Sequence, residues 1–233
     1  MNYPRVAVAD GTIEAIKWFS LILMVIDHTN KYLYKGAIPV LFNIGRLAMP
    51  LFVLVLAYNL ARPRSFERGV HIRIIKRLAL CGSLATPAFL ALGGLLAGWW
   101  PLNFMFALLV LTLTIYLIEH QTITGYLAAA VVFVLGGSVV EYWWPGLVLG
   151  LSAWWYCKTP RLAPVIIAVI AILSLRLISG NYWALAVLPV ALMACLVRLP
   201  VPRAQWAFYA FYPLHLTVLW WLISMTDTTF TNL

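Results

Sequence analysis

The chain has 233 residues, 64% of them hydrophobic and 10% charged, with a mean hydropathy of +0.94. Soluble domains run at roughly 45–50% apolar and about 25% charged residues, so a water-soluble fold is excluded, and no polar stretch is long enough to build a soluble domain. The net charge of +9 is explained by cytoplasmic loops that collect Lys and Arg in membrane proteins, which removes nucleic acid as a partner and makes the lipid bilayer one.

A helix needs about 20 mostly apolar residues to span a bilayer. Candidate spans fall at 12–33, 38–61, 76–98, 103–119, 122–140, 142–157, 162–179, 181–198 and 205–225. The expected fold is therefore all-α: one polytopic transmembrane bundle over residues 1–233, with about nine spans and a range of eight to ten. The first apolar run leads into Asp27 and His28 without a small-residue cleavage site, which predicts a retained helix and not a signal peptide.

Charged groups inside a membrane are costly and tend to be functional, and the first two spans hold Lys17, Asp27, His28 and Arg46. Lys17 and His28 are eleven residues apart. At 100° per residue they share a helix face, about 16 Å apart along the axis. The chain turns near Gly36, with Asp27 nine residues before it and Arg46 ten after it. An antiparallel hairpin then sets the two at one depth, where an Asp–Arg pair is tolerated and a lone Arg is not. His28 lies about 100° around the helix from Asp27 and is free to face a cavity. Pro50 is expected to loosen the backbone within a turn of Arg46.

Residues 62–77, RPRSFERGVHIRIIKR, carry six basic residues and one acidic one and read as a basic cytoplasmic loop, with His71 solvated. The two readings are an ordinary positive-inside loop and an anion site with Arg geometry suited to several phosphates. Further on, Asn103 and Glu119 read as helix caps, Glu141 and Asp227 as exposed at the outer surface, and His215 follows Pro213 in the last span. Trp99–Trp100, Tyr142–Trp144, Trp154–Tyr156 and Trp220–Trp221 sit near span ends, where amphipathic rings collect.

With the N-terminus cytoplasmic, inner segments hold eleven basic residues and outer ones three, which sets that orientation. Cys81, Cys157 and Cys195 are scattered and read as packing residues. Four histidines spread along the chain, with no HExxH, GxSxG or Walker motif, give no metal site.

Lys17, the run Leu23-Met24-Val25-Ile26-Asp27-His28, the run Gly45-Arg46-Leu47-Ala48-Met49-Pro50-Leu51-Phe52, and Asn59-Leu60 resemble the TraX family of conjugative pilin acetylases. Asn103–Phe106 and the late Phe211-Tyr212 with His215-Leu216 also look like family positions. More widely, Lys17 and His28 resemble the basic-residue and histidine pair in the first helix of acyltransferase-3 membrane enzymes. The resemblance implies an enzyme of the inner membrane that moves an acetyl group from acetyl-CoA to the N-terminal amine of a pilin subunit. On that reading acetyl-CoA would bind with its phosphates near Arg62, Arg68, Arg73 and Arg77 and its pantetheine arm running past Lys17 toward His28. His28 would then be general base, Arg46 the oxyanion stabiliser held by Asp27, and His215 part of the wall. Two other classes remain open from the residues alone: acylation of a surface glycan or lipid, and a non-enzymatic subunit of the conjugation apparatus.

Overall fold

The computed structural model describes residues 3–96 and 98–230, with side chains described as far as Met225. The described chain is helical throughout, its only pairing of extended backbone being an isolated bridge between Leu102 and Val140. In chain order the helices are α1 (Asp10–Tyr32), α2 (Pro39–Gly45), α3 (Ala48–Ala61), α4 (Val70–Ala91), α5 (Phe104–Glu119), α6 (Ile123–Val139), α7 (Trp143–Lys158), α8 (Leu162–Ser174), α9 (Arg176–Ser179), α10 (Val187–Leu196) and α11 (Gln205–Phe230).

Each expected span is thus largely helical, though the helices differ in length and apolar character. Four helical stretches among the described residues are long and apolar enough to cross a membrane: Pro39–Ala61, Val70–Ala91, Leu162–Ser179 and Gln205–Met225. Helices α5, α6 and the stretch Trp183–Leu196 are apolar but shorter. Helix α1 is 23 residues long, and its charged residues Glu14, Lys17, Asp27 and Lys31 set it apart. The outward faces confirm an apolar surround. Ile123, Leu127, Val131 and Val134 of α6 and Leu162, Ile166, Ile170 and Leu173 of α8 are exposed at helical spacing, an inversion of the soluble pattern.

The core joins the early helices to the middle of the chain. Leu51 and Leu60 of α3, Leu111 and Ile115 of α5, Leu149 of α7 and Leu216 of α11 are all fully buried. Small residues permit the close approach, as they do between membrane helices generally. A Cβ on Gly150 would lie 2.3 Å from Leu111 Cδ2 and 3.0 Å from Val53 Cγ1, so α7 crosses both α5 and α3 there.

Three local devices fix what the site needs. The α1–α2 turn takes Lys35 and Gly36 through positive φ, and Asn30 staples it, bonding both the N–H and the C=O of Ile38 at 3.1 Å. The second span is broken between α2 and α3 at Arg46–Leu47. Pro50 explains the break, because its ring clashes with the carbonyl four residues back and it has no N–H to offer it. At the other end, the connector before α11 is strapped to α1. Thr12 Oγ1 donates to Val197 O (2.8 Å) and accepts from Leu199 N, and Ala204 N donates to Glu14.

The basic stretch is only partly a loop, since residues 70–77 form the first two turns of α4. His71 is accordingly not solvated: it is fully buried against Phe66 and Tyr116.

Asn103 does cap α5, accepting from Met105 N at 3.1 Å while its Nδ2 donates to Gly82 O and Thr86 Oγ1 on α4. Replacing it leaves the Met105 N–H unsatisfied, while Gly82 O keeps only the Thr86 hydroxyl at 2.8 Å. Asn103→Ala is expected to cost about 1–3 kcal/mol, read as a lowered Tm of the detergent-purified protein.

Candidate functional site

Two cavities lie end to end along α1. The first, of ≈ 320 Å³, is lined by Asp27, His28, Lys31, Arg46, Glu141 and Tyr142 among others, and opens past Lys35, Gly36 and Leu95 at the α1–α2 turn. The second, of ≈ 490 Å³, is lined by Lys17, Arg62, Arg68, Arg73, Arg77 and Arg203. Phe52 of α3 lines both, so the two cavities share a wall at this side chain.

In the first cavity Arg46 Nη2 donates to Asp27 Oδ1. The equal depth expected from the turn at Gly36 is therefore met. Gly45 makes room for the carboxylate, since a Cβ there would lie 2.6 Å from Asp27 Oδ1. The guanidinium also donates from Nε to Phe42 O at 3.3 Å and lies over the Phe42 ring, 4.4 Å from its centroid. That leaves Nη1 uncommitted for a developing negative charge.

His28 Nδ1 is 2.6 Å from His215 Nε2, and His215 Nδ1 is 3.1 Å from the carbonyl of Phe211. A carbonyl only accepts, so His215 carries its proton on Nδ1 and presents Nε2 as an acceptor. His28 must then donate from Nδ1, which leaves its own Nε2 as a lone pair. Since His28 lines the cavity, the chain Phe211–His215–His28 delivers a base with a defined tautomer. This corrects one expectation: His215 does not form the cavity wall. It stands behind His28, from α11, and orients it.

Lys17 is paired with Glu14 one turn earlier and lies over the Phe208 ring, 4.9 Å from the centroid. It sits in the basic cavity and not beside His28. Arg62, Arg68, Arg73 and Arg77 converge there as expected, and Arg203, brought by the connector to α11, joins them. Arg77 stacks over Trp206, 4.5 Å from the ring centroid, and Arg62 is held by Asp10 at 2.6 Å. Six cationic side chains around one cavity fit a ligand with several phosphates.

Glu141 is the residue the sequence misplaced. It is partly buried and lines the first cavity instead of lying exposed at the surface. The bridge between Leu102 and Val140, with Glu141 N donating to Leu102 O at 3.1 Å, pins its backbone. Tyr142 (φ 62°) and Trp143 (φ 44°) then reverse the chain. Left-handed backbone at two successive non-glycine residues costs roughly 1–2 kcal/mol each and is characteristic of functional segments. Desolvation pushes the Glu141 carboxyl up to about 7, with Asp27 raising it further and Lys31, Arg46 and the Phe104 N–H pulling it down. The side chain of Asp227 lies outside the described residues.

Among the described residues no group of His, Cys, Asp and Glu is arranged to hold a metal ion. Cys81, Cys157 and Cys195 are free and separate.

A family model described as TraX protein matches residues 12–223. Protein TraX of Escherichia coli is 32% identical over 225 residues, covering 90% of this chain and 86% of the relative. Protein TraX of Escherichia coli strain K12 is 30% identical over 223 residues, with the same coverage. No solved structure matches.

The Asp27–Arg46 pair gives a stability test. Removing one partner of a buried pair costs about 3–5 kcal/mol, because the other charge is stranded. With side chains 13% and 14% exposed, Arg46→Gln should fall near the lower end. The double variant Asp27→Asn, Arg46→Gln should recover most of the lost Tm.

Proposed function

The chain belongs to the TraX family, and from that premise we propose that it is a bacterial inner-membrane acetyltransferase of conjugation, moving an acetyl group from acetyl-CoA to the N-terminal amine of a pilin subunit. The observation that carries this reading is the shared wall. An arginine-lined cavity and a histidine-lined cavity meet at Phe52, so a phosphate-bearing donor at one end can present its thioester to a base at the other. With the N-terminus cytoplasmic, the arginine cavity faces the cytoplasm, where acetyl-CoA is made, and the His28 cavity faces the outer side.

Arg62, Arg68, Arg73, Arg77 and Arg203 bind the donor's phosphates, with Lys17 at the inner end of the passage. His28 Nε2 takes a proton from the attacking amine as the C–N bond forms. Arg46 Nη1 donates to the carbonyl oxygen as its charge develops, and Asp27 holds the guanidinium in place. His28 then returns the proton to sulfur as the C–S bond breaks, releasing CoA thiol. His215 keeps the imidazole in the required tautomer throughout. Direct transfer of this kind needs donor and acceptor bound together.

Intact mass of the cognate pilin from cells with and without the gene tests the reading. A difference of one acetyl group on the N-terminal fragment supports it. An unchanged pilin, with label from acetyl-CoA found in glycan or lipid, moves the acceptor to that class. No labelled product at all favours the assembly-subunit alternative.

Two substitutions separate the cavities. His28→Ala is expected to abolish transfer while leaving expression and acetyl-CoA binding intact, a loss of roughly 10²–10⁴-fold for a positioned base. Arg68→Gln or Arg73→Gln is expected to raise KM for acetyl-CoA about tenfold, the weight of one charge-assisted bond, with kcat little changed. Steady-state kinetics on the purified protein read both.

A further inference from the structure

Two carboxylates line the His28 cavity, Asp27 and Glu141. Asp27 is taken by Arg46. Glu141 belongs to none of the ion pairs among the described residues, which are Lys17–Glu14, Arg46–Asp27, Arg62–Asp10 and Lys158–Glu119. Its carboxylate accepts only the backbone N–H of Phe104 at the start of α5. The charged and titratable groups facing it are Asp27, Lys31 and Tyr32 of α1, Arg46 at the α2–α3 break, Tyr142 at the start of α7 and Tyr212 of α11. Lys31 acts on it electrostatically without forming an ion pair with it, while its ammonium donates to Gly94 O (3.4 Å) and the Tyr32 hydroxyl (3.2 Å). The cavity therefore holds a carboxylate outside every ion pair among the described residues, in a lining that also includes the exposed Lys35 and Leu95.

We propose that Glu141 is the acceptor's binding group and first base: its carboxylate holds an incoming primary ammonium and takes one of its protons, which selects amines over hydroxyls as acceptors. This rests on the acetyl-transfer reading above and supplies what that reading lacks. An amine that arrives as R–NH₃⁺ must lose two protons to become an amide nitrogen, and His28 accounts for one. Glu141 takes the first, giving neutral R–NH₂. The nitrogen lone pair then attacks the thioester carbon, His28 takes the second proton, and the C–S bond breaks with that proton delivered to sulfur. The products are the acetylated amine, CoA thiol and one proton on Glu141, which leaves through the cavity mouth.

The carboxyl's position near 7 matches this work. An α-ammonium titrates at about 7.7–8.0, within about one unit, whereas a solvated glutamate near 4.3 would be about three and a half units too weak a base. A hydroxyl arrives uncharged with a single proton, so Glu141 offers it no such advantage.

The test compares wild type with Glu141→Gln, full-length in detergent, using acetyl-CoA and either a peptide with a free N-terminal amine or hydroxylamine, which arrives neutral. Glu141→Gln is expected to lose about 10²-fold in kcat/KM for the peptide near pH 7, with KM for acetyl-CoA unchanged. The deficit should shrink as the pH is raised past the amine's own range of about 7.7–8.0. With hydroxylamine it should lose no more than a few-fold, which also shows that the variant folds. Unchanged peptide kinetics, or an equal loss with both nucleophiles, overturns the proposal. Wild type that transfers acetyl to neither nucleophile instead removes the acetyltransferase reading itself.

Discussion

The pairing of Asp27 with Arg46 is the interaction around which the first cavity is arranged. In an apolar bundle an unpaired guanidinium is expensive, and its position here is fixed on both sides. Asn30 sets the turn that brings α2 back along α1, and Gly45 leaves the space that the Asp27 carboxylate occupies. The break at Arg46–Leu47 interrupts regular backbone where the guanidinium must turn inward. Such irregular backbone is tolerated at membrane depth only where it is buried in protein or lines a cavity, and here it lines one. His28, next in sequence to Asp27, is thereby aimed into that same space.

The two ends of the chain meet at the site. Helix α11 supplies His215 behind His28, and the connector before it supplies Arg203 to the basic cavity. Both depend on the strap between Thr12, Glu14 and the 197–204 segment. The division of charge follows from this closure. The charged lining of the basic cavity is cationic throughout, while the His28 cavity carries both signs. A polyanionic ligand is drawn to one, and a cationic group is accommodated only in the other.

Much of this was legible in the residues, and what was not has definite physical causes. Helical periodicity and distance from a turn place Lys17, His28, Asp27 and Arg46 because each lies on a regular segment with a known rise and rotation. Pro50 announces the break for the same reason. Glu141 was not legible. It lies between two apolar runs, where an acidic residue ordinarily faces water, and only the reversed backbone at Tyr142 and Trp143 turns it inward. That pair of left-handed residues carries no glycine or asparagine signal. His71 was misjudged because the basic stretch hides a helix start at Val70, whose capping residue Gly69 is the one sequence sign. Arg203 could not be assigned to the basic cavity, since nothing local records a strap across about 190 residues. Helix length was not legible either, because apolar composition does not reveal it: α5 has 16 residues and α10 has 10.

Phe52 has a consequence beyond chemistry. A bilayer insulates by the thickness of its hydrocarbon, about 30 Å, and two water-accessible cavities placed end to end leave little of that thickness intact. Where they meet, Phe52 lines both and packs against Phe104, 6.2 Å away between ring centroids. The membrane voltage drops across the same short distance, at about 2.3 kcal/mol per elementary charge per 100 mV. Any charge that passes Phe52 from one cavity to the other therefore senses the cell's electrical state.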